Sequence, residues 1–153
     1  MQGKVEPDFE TVYCVTDLWG GQPVKGVASF QGEPCFFESI FDDKNEEYSD
    51  FYLLTPLPEH IFRASIEDFE IFLCWKASFH SDKTGIETHP ALLQDRPRHE
   101  QFQAIVDDFL RKTAPSPIKA RAKFVRGDSR ESAIQELNVL RVRWEATGES
   151  AKS

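Results

Sequence analysis

Apolar and polar residues alternate one by one over the first third of the chain. Residues 11–19 follow this period of two and are rich in Val, Tyr and Thr, which predicts a β-strand. Gly20-Gly21-Gln22-Pro23 breaks the pattern. Residues 24–30 predict a second strand, softened by Gly26, and Gln31-Gly32-Glu33-Pro34 reads as a hairpin turn into a third strand over 35–41. A polar loop from Asp42 to Glu47 leads to a fourth strand over 48–54, which Thr55-Pro56-Leu57-Pro58 ends.

The period then lengthens to that of a helix. Ile66, Phe69, Phe72, Leu73, Lys76 and Phe79 recur at i, i+3, i+4 spacing. Ser65-Ile66-Glu67-Asp68 resembles a capped helix start, and residues 58–64 read either as an earlier turn of that helix or as a separate short one. Ile71 and Trp75 lie off the main stripe, so the helix is expected to pack on two sides. Residues 80–97 have loop composition. A second helix is expected over 98–112, with Phe102, Ile105, Val106 and Phe109 as its apolar stripe and Arg111 and Lys112 in its last turn. Alternation returns over 118–126, where Lys119, Arg121 and Lys123 oppose Ile118, Ala120, Ala122 and Phe124. A short helix over 130–137 and a last strand over 139–145 follow, the strand with Leu140, Val142 and Trp144 opposite Arg141, Arg143 and Glu145.

Assembled, these elements predict an α+β fold. An antiparallel β-meander of about four N-terminal strands carries two main helices on one face, and the C-terminal strands complete the sheet. The expected core comprises Phe37, Leu53, Ile66, Phe69, Phe72, Phe102, Ile105, Phe109, Phe124 and Trp144. Length supports a single domain over residues 1–146, with 147–153 as a frayed polar tail.

Composition adds bounds. With 153 residues, 40% hydrophobic content and 13 Phe, the chain can bury a substantial core without staples. Cys14, Cys35 and Cys74 form no C-x-x-C pair, and each has apolar neighbours. They read as buried free thiols in a reducing compartment. The first ten residues lack an apolar stretch and no run approaches a membrane span, so a cytoplasmic protein with no membrane partner is expected. The charge is −8 overall but unevenly divided. Residues 1–60 hold three Lys/Arg against twelve Asp/Glu, whereas residues 111–153 hold ten against five. Net negative charge argues against nucleic acid as a partner. The split leaves three outlets: internal neutralisation, separate partners, or opposite charges pairing between copies in a homo-oligomer.

Three groups of residues are candidates for chemistry. Strand parity puts Tyr13, Asp17 and Trp19, then Glu38, then Asp50 and Tyr52 on one side of the meander, an acidic–aromatic face. Such a face could bind a small cationic or aromatic ligand or a protein, and crowded carboxylates there could serve acid–base catalysis. Scattered surface acids paired to Lys/Arg are the plain alternative. His80, His89 and His99 could converge on a metal, though their spacing matches no ligand signature. The five C-terminal cations Lys119, Arg121, Lys123, Arg141 and Arg143 could meet phosphates. No aromatic residue is interleaved among them in sequence, which favours neutralisation of the acidic strands instead. Nucleotide-binding and nucleophile motifs are absent, and no cofactor is expected. The reading that emerges is a non-catalytic ligand-binding or protein-interaction module using the acidic–aromatic face. The alternative is a small acid–base or metal-dependent hydrolase.

Overall fold

A computed structural model describes residues 9–19, 21–112, 118–126 and 140–146. Six strands form one closed antiparallel barrel in sequence order: β1 Glu10–Trp19, β2 Gln22–Phe30, β3 Glu33–Asp42, β4 Glu47–Pro56, β5 Ile118–Arg126 and β6 Leu140–Ala146. Two helices, α1 Glu59–His80 and α2 Arg96–Lys112, lie between β4 and β5 in the chain. Contacts divide the molecule into two compact units. One contains the strands, within Met1–Leu57 and Pro115–Ser153, and the other contains the helices, within Pro58–Ala114.

The barrel overturns the expected open α+β sheet. Strands form where alternation places them, but β1 also pairs with β6, through Glu10↔Val142 and Thr11↔Arg141, and this closes the sheet. Closure abolishes the free edges that an open meander would leave. It also changes what fills the core. Phe37, Tyr52, Phe124 and Trp144 point inward from β3, β4, β5 and β6 and pack ring to ring, with centroid separations of 5.7–6.1 Å. Val12, Ala28, Cys35, Leu54, Ala120, Ala122 and Val142 complete this interior. The strands' own inward side chains therefore make the core of this unit, as in small closed barrels generally.

Local chemistry explains the joints. Gln31 and Gly32, both at positive φ, form the two-residue link from β2 to β3, the geometry that matches the twist of a hairpin. The Glu10 carboxylate accepts hydrogen bonds from the backbone N–H of Gln31 (3.0 Å) and Gly32 (3.1 Å) and from Ser29 Oγ (2.7 Å). It thereby ties the start of β1 to this turn. Gly26 sits where β1 and β3 close in on β2. A Cβ there would run into the carbonyl oxygen of Cys14 and lie 2.7 Å from Phe37 Cζ. What reads in sequence as a soft spot in a strand is a point of close approach.

Several core expectations change. Register shifts between Val12/Cys14, Val15/Asp17 and Asp17/Leu18 break the parity of β1, so Val12 and Cys14 face inward while Thr16 and Leu18 are exposed. On β4 the inward residues are Tyr52 and Leu54, and Leu53 lies on the outer side. Ile105 is exposed, and Ile66, Phe69, Phe72, Phe102 and Phe109 are half-buried. Cys14 and Cys35 are buried, but Cys74 is exposed.

In the helical unit, α1 begins directly after Pro58, with Glu59 in its first turn. The expected cap, Ser65, is interior to the helix, and its hydroxyl donates back to Ile61 O at 3.1 Å. Residues 58–64 thus belong to the same helix. Trp75 is buried. It stacks on Phe79 and Phe72 and donates from Nε1 to Thr88 Oγ1 at 2.8 Å, which fixes the loop after α1. Arg96 Nη2 donates to the carbonyl of Thr88 at 3.1 Å, joining the start of α2 to that loop. The expected short helix over 130–137 and the tail 147–153 lie outside the described residues.

Candidate functional site

The proposed acidic–aromatic face does not survive as one surface. Tyr52 belongs to the interior, only 1% exposed. Its hydroxyl donates to the carbonyl of Pro23 and accepts from Gln22 Nε2 at 3.0 Å, and burial pushes its pKa above the usual tyrosine value. The three carboxylates of the face are separate. Asp17 and Glu38 both stand opposite Lys25 in the ladder, on either side of β2, and Lys25 Nζ lies 4.0 Å from Glu38. Asp50 instead pairs with Arg121 at 3.3 Å. Among the C-terminal cations, Arg121 thus meets Asp50, and Arg143 meets Glu145 at 3.4 Å. Tyr13 is partly exposed on the outside of β1.

The histidines also part ways. His99 Nδ1 lies 2.7 Å from Asp68 Oδ1, an inter-helix contact within the helical unit. His89 packs edge-on against Trp75 and Phe72, and His80 is exposed at the end of α1 beside Phe79. Among the described residues no group of three or more His, Cys, Asp or Glu is placed to hold a metal.

Aromatic rings and acids do come together elsewhere, where β3 turns into β4. The turn has a mirrored sequence, Phe41-Asp42-Asp43-Lys44-Asn45-Glu46-Glu47-Tyr48. Phe41 and Tyr48 are cross-strand partners with ring centroids 5.0 Å apart, edge to face. Trp19, at the end of β1, also meets Tyr48 edge to face, at 5.8 Å. Tyr48 is half-buried, while Trp19 and Phe41 are 55% and 44% exposed. A register shift between Ser39 and Phe41 explains why Phe41 faces outward instead of joining Phe37 and Ser39 inside.

Acids surround these rings. Asp42 accepts from the backbone N–H groups of Lys44 (3.0 Å) and Asn45 (3.3 Å) and from Asn45 Nδ2 (2.8 Å). These bonds, the Asn45 side chain foremost, hold its carboxyl below the usual aspartate range. It is therefore a fixed negative charge. Beside it an open depression of about 670 Å³ is lined by Gln22, Asp42, Glu47, Tyr48, Asp50 and Phe51, with Lys119 of β5 also on its wall. Gln22 Nε2 also donates to the carbonyl of Ser49 at 2.9 Å, which ties β2 to β4 beside the depression.

Of the six residues expected in a binding face, Trp19 and Asp50 thus border this rim. Tyr48 shares its strand parity with Asp50 and so lies on the expected face, whereas Phe41 and Asp42 fall outside it, although the mirrored aromatic–acid turn is visible in the sequence. The fold and site together define a small, closed antiparallel barrel with an occupied interior and an exposed aromatic–acidic rim. Comparison of the chain with protein-family models, with curated proteins and with solved structures finds no match in any of the three. No described helix is long and apolar enough to cross a membrane.

Proposed function

We propose that this protein is a non-catalytic interaction module that binds a cationic segment of a partner protein at the rim formed by Trp19, Phe41 and Tyr48. The observation that carries the reading is the pair of exposed rings, Trp19 and Phe41, held edge-on by Tyr48 beside a fixed carboxylate, Asp42. Aromatic faces attract Lys and Arg head groups, and the flanking acids set the sign of the ligand. The interior is occupied by the strands' own aromatic side chains, so the ligand belongs on the outer surface. Three free thiols support a reducing, cytoplasmic setting as part of the same proposal.

The test is a titration with a short arginine-rich peptide, followed by calorimetry and by tryptophan emission. Saturable binding is expected, weakened about tenfold or more in Trp19→Ala and Phe41→Ala, as for an aromatic anchor at an interface. Equal binding of a glutamate-rich peptide of the same length, or wild-type affinity in both variants, would rule the reading out.

A further inference from the structure

The outer side of β5 and β6 carries a second surface, which adjoins the rim's depression at Phe51 and Lys119 but uses none of the rim's three rings. Lys119, Arg121 and Lys123 project outward from β5, and Arg141 and Arg143 from β6. The ladder sets Lys123 directly opposite Arg143, a like-charge cross-strand pair of which Arg143 is met by Glu145 at 3.4 Å. Among the described residues Lys123 and Arg141 have no carboxylate partner.

The strip is flanked by rings that sequence adjacency hides. On one side, β4 contributes Phe51, the ladder partner of Arg121, with the Arg121 guanidinium 5.0 Å and the Lys119 ammonium 5.4 Å from its ring centre. On the other side, Phe9, just before β1, lies 5.4 Å from the Arg143 guanidinium. Closure of the barrel between β1 and β6 is what brings Phe9 there. From β4 to β1 the strip spans three strand spacings, about 14 Å. Two half-buried rings at its borders, each with a cation over it, bring together both components of single-strand recognition: phosphate neutralisation and cation–ring platforms against which bases pack.

The geometry points to a single-stranded nucleic acid laid across this face, its phosphates on Lys123, Arg141 and Arg143 and bases against Phe51 and Phe9. An acidic protein segment would satisfy the cations but gain nothing specific from the rings, so the flanking aromatics favour the nucleic acid. The net charge of −8 opposes approach from a distance. At ~0.1 M salt, however, screening over ~10 Å leaves the local strip to dominate. Asp50 and Glu145 border the strip and offset part of its charge, which sets the expected affinity in the micromolar range or weaker.

The experiment is fluorescence anisotropy of a labelled oligothymidylate of ~12 nucleotides, within the site sizes of small barrels that bind single strands. Saturable binding is expected, with a logarithmic salt slope of about −2 for roughly three phosphate contacts. Lys123→Ala with Arg141→Ala should halve that slope or more. Phe51→Leu, which keeps an apolar strand residue but removes the ring, should weaken binding by about 5-fold or more, within the range for one lost stacking contact. Circular dichroism of each variant confirms the fold. Absence of binding by the folded protein overturns the inference. So does charge-only behaviour: polyglutamate displacing the oligonucleotide at equal charge, or Phe51→Leu binding like the parent. Trp19→Ala should leave this binding unchanged, which separates failure here from failure at the rim.

Discussion

Replacing Gly26 by alanine probes the packing that closes the barrel wall. A Cβ at this position collides with the Cys14 carbonyl of β1 and stands 2.7 and 3.0 Å from Cζ and Cε2 of Phe37 on β3. The ring can swing aside, but the carbonyl belongs to a ladder and cannot move without shifting β1. Overpacking of this kind costs about 1–3 kcal/mol, and a backbone obstacle belongs in the upper half of that range. Alanine restricts the unfolded chain more than glycine does, which returns about 0.5–1 kcal/mol. The net expectation is about 1–2.5 kcal/mol of destabilisation, or roughly 2–10 °C in Tm for a chain of this size. Urea and thermal unfolding, followed by circular dichroism and tryptophan fluorescence, measure it. Phe37→Leu supplies the second leg of a double-mutant cycle. If the carbonyl is the obstacle, Gly26→Ala costs nearly as much in the Phe37→Leu background as in the parent. An unchanged or raised Tm in the single variant, or full relief by Phe37→Leu, refutes the close approach of β1 to Gly26.

Other outcomes follow from single side chains. Tyr52→Phe strands the buried carbonyl of Pro23 and should cost about 1–2 kcal/mol in urea unfolding, without loss of the ring packing around Phe37. A thiol-reactive dye at pH 8 should label Cys74 promptly and reach Cys14 and Cys35 only on denaturation, a count that mass spectrometry reads directly. Burial, then the charges of Glu33 and Glu10, pushes the Cys35 thiol up from 9.0 to about 11. The folded state therefore keeps a proton that the unfolded chain releases. The stability linked to it is complete below pH 9 and is lost between pH 9 and about 11, by about 2–3 kcal/mol. Cys35→Ala should show a shallower alkaline decline of the urea midpoint. In the helical unit, Asp68→Ala removes the partner of His99 Nδ1 and should lower Tm by a few degrees, whereas an unchanged Tm would mean that contact adds nothing.

Local structure was largely legible from residue patterns, because each strand and helix carries its own period. Alternation located β1 through β6 and the apolar spacing located both helices. Two things resisted. Closure depends on Glu10↔Val142 and Thr11↔Arg141, pairs separated by most of the chain, and no local pattern encodes such a partner. Bulges were the other obstacle. A single shift between Ser39 and Phe41 sends Phe41 outward, and the shifts between Val15 and Asp17 and between Asp17 and Leu18 break the parity of β1 after Cys14. The expected binding face was built on unbroken parity, so it joined Tyr52, a core residue, to Asp17 and Glu38, which both face Lys25.

The uneven charge along the chain takes on a different meaning once the strands are in order. Sequential strands are neighbours, so the acids of the β3–β4 turn stay clustered, and they meet the basic strands at the β4–β5 seam, where Lys119 lines the same depression. Neutralisation happens mainly at seams, as where Asp50 meets Arg121 between β4 and β5 and Lys25 meets Glu38 between β2 and β3. These pairs are half-exposed and so contribute little to stability individually. Their effect is to confine surplus charge. Negative charge remains at the rim beside Trp19, Phe41 and Tyr48, while positive charge remains on β5 and β6 between Phe51 and Phe9. In each region the surplus lies beside aromatic rings, and an up-and-down topology keeps the two chemistries from cancelling. A protein whose charges served only folding would gain by pairing Lys123 with an acid across the ladder. This barrel pairs it with Arg143 instead.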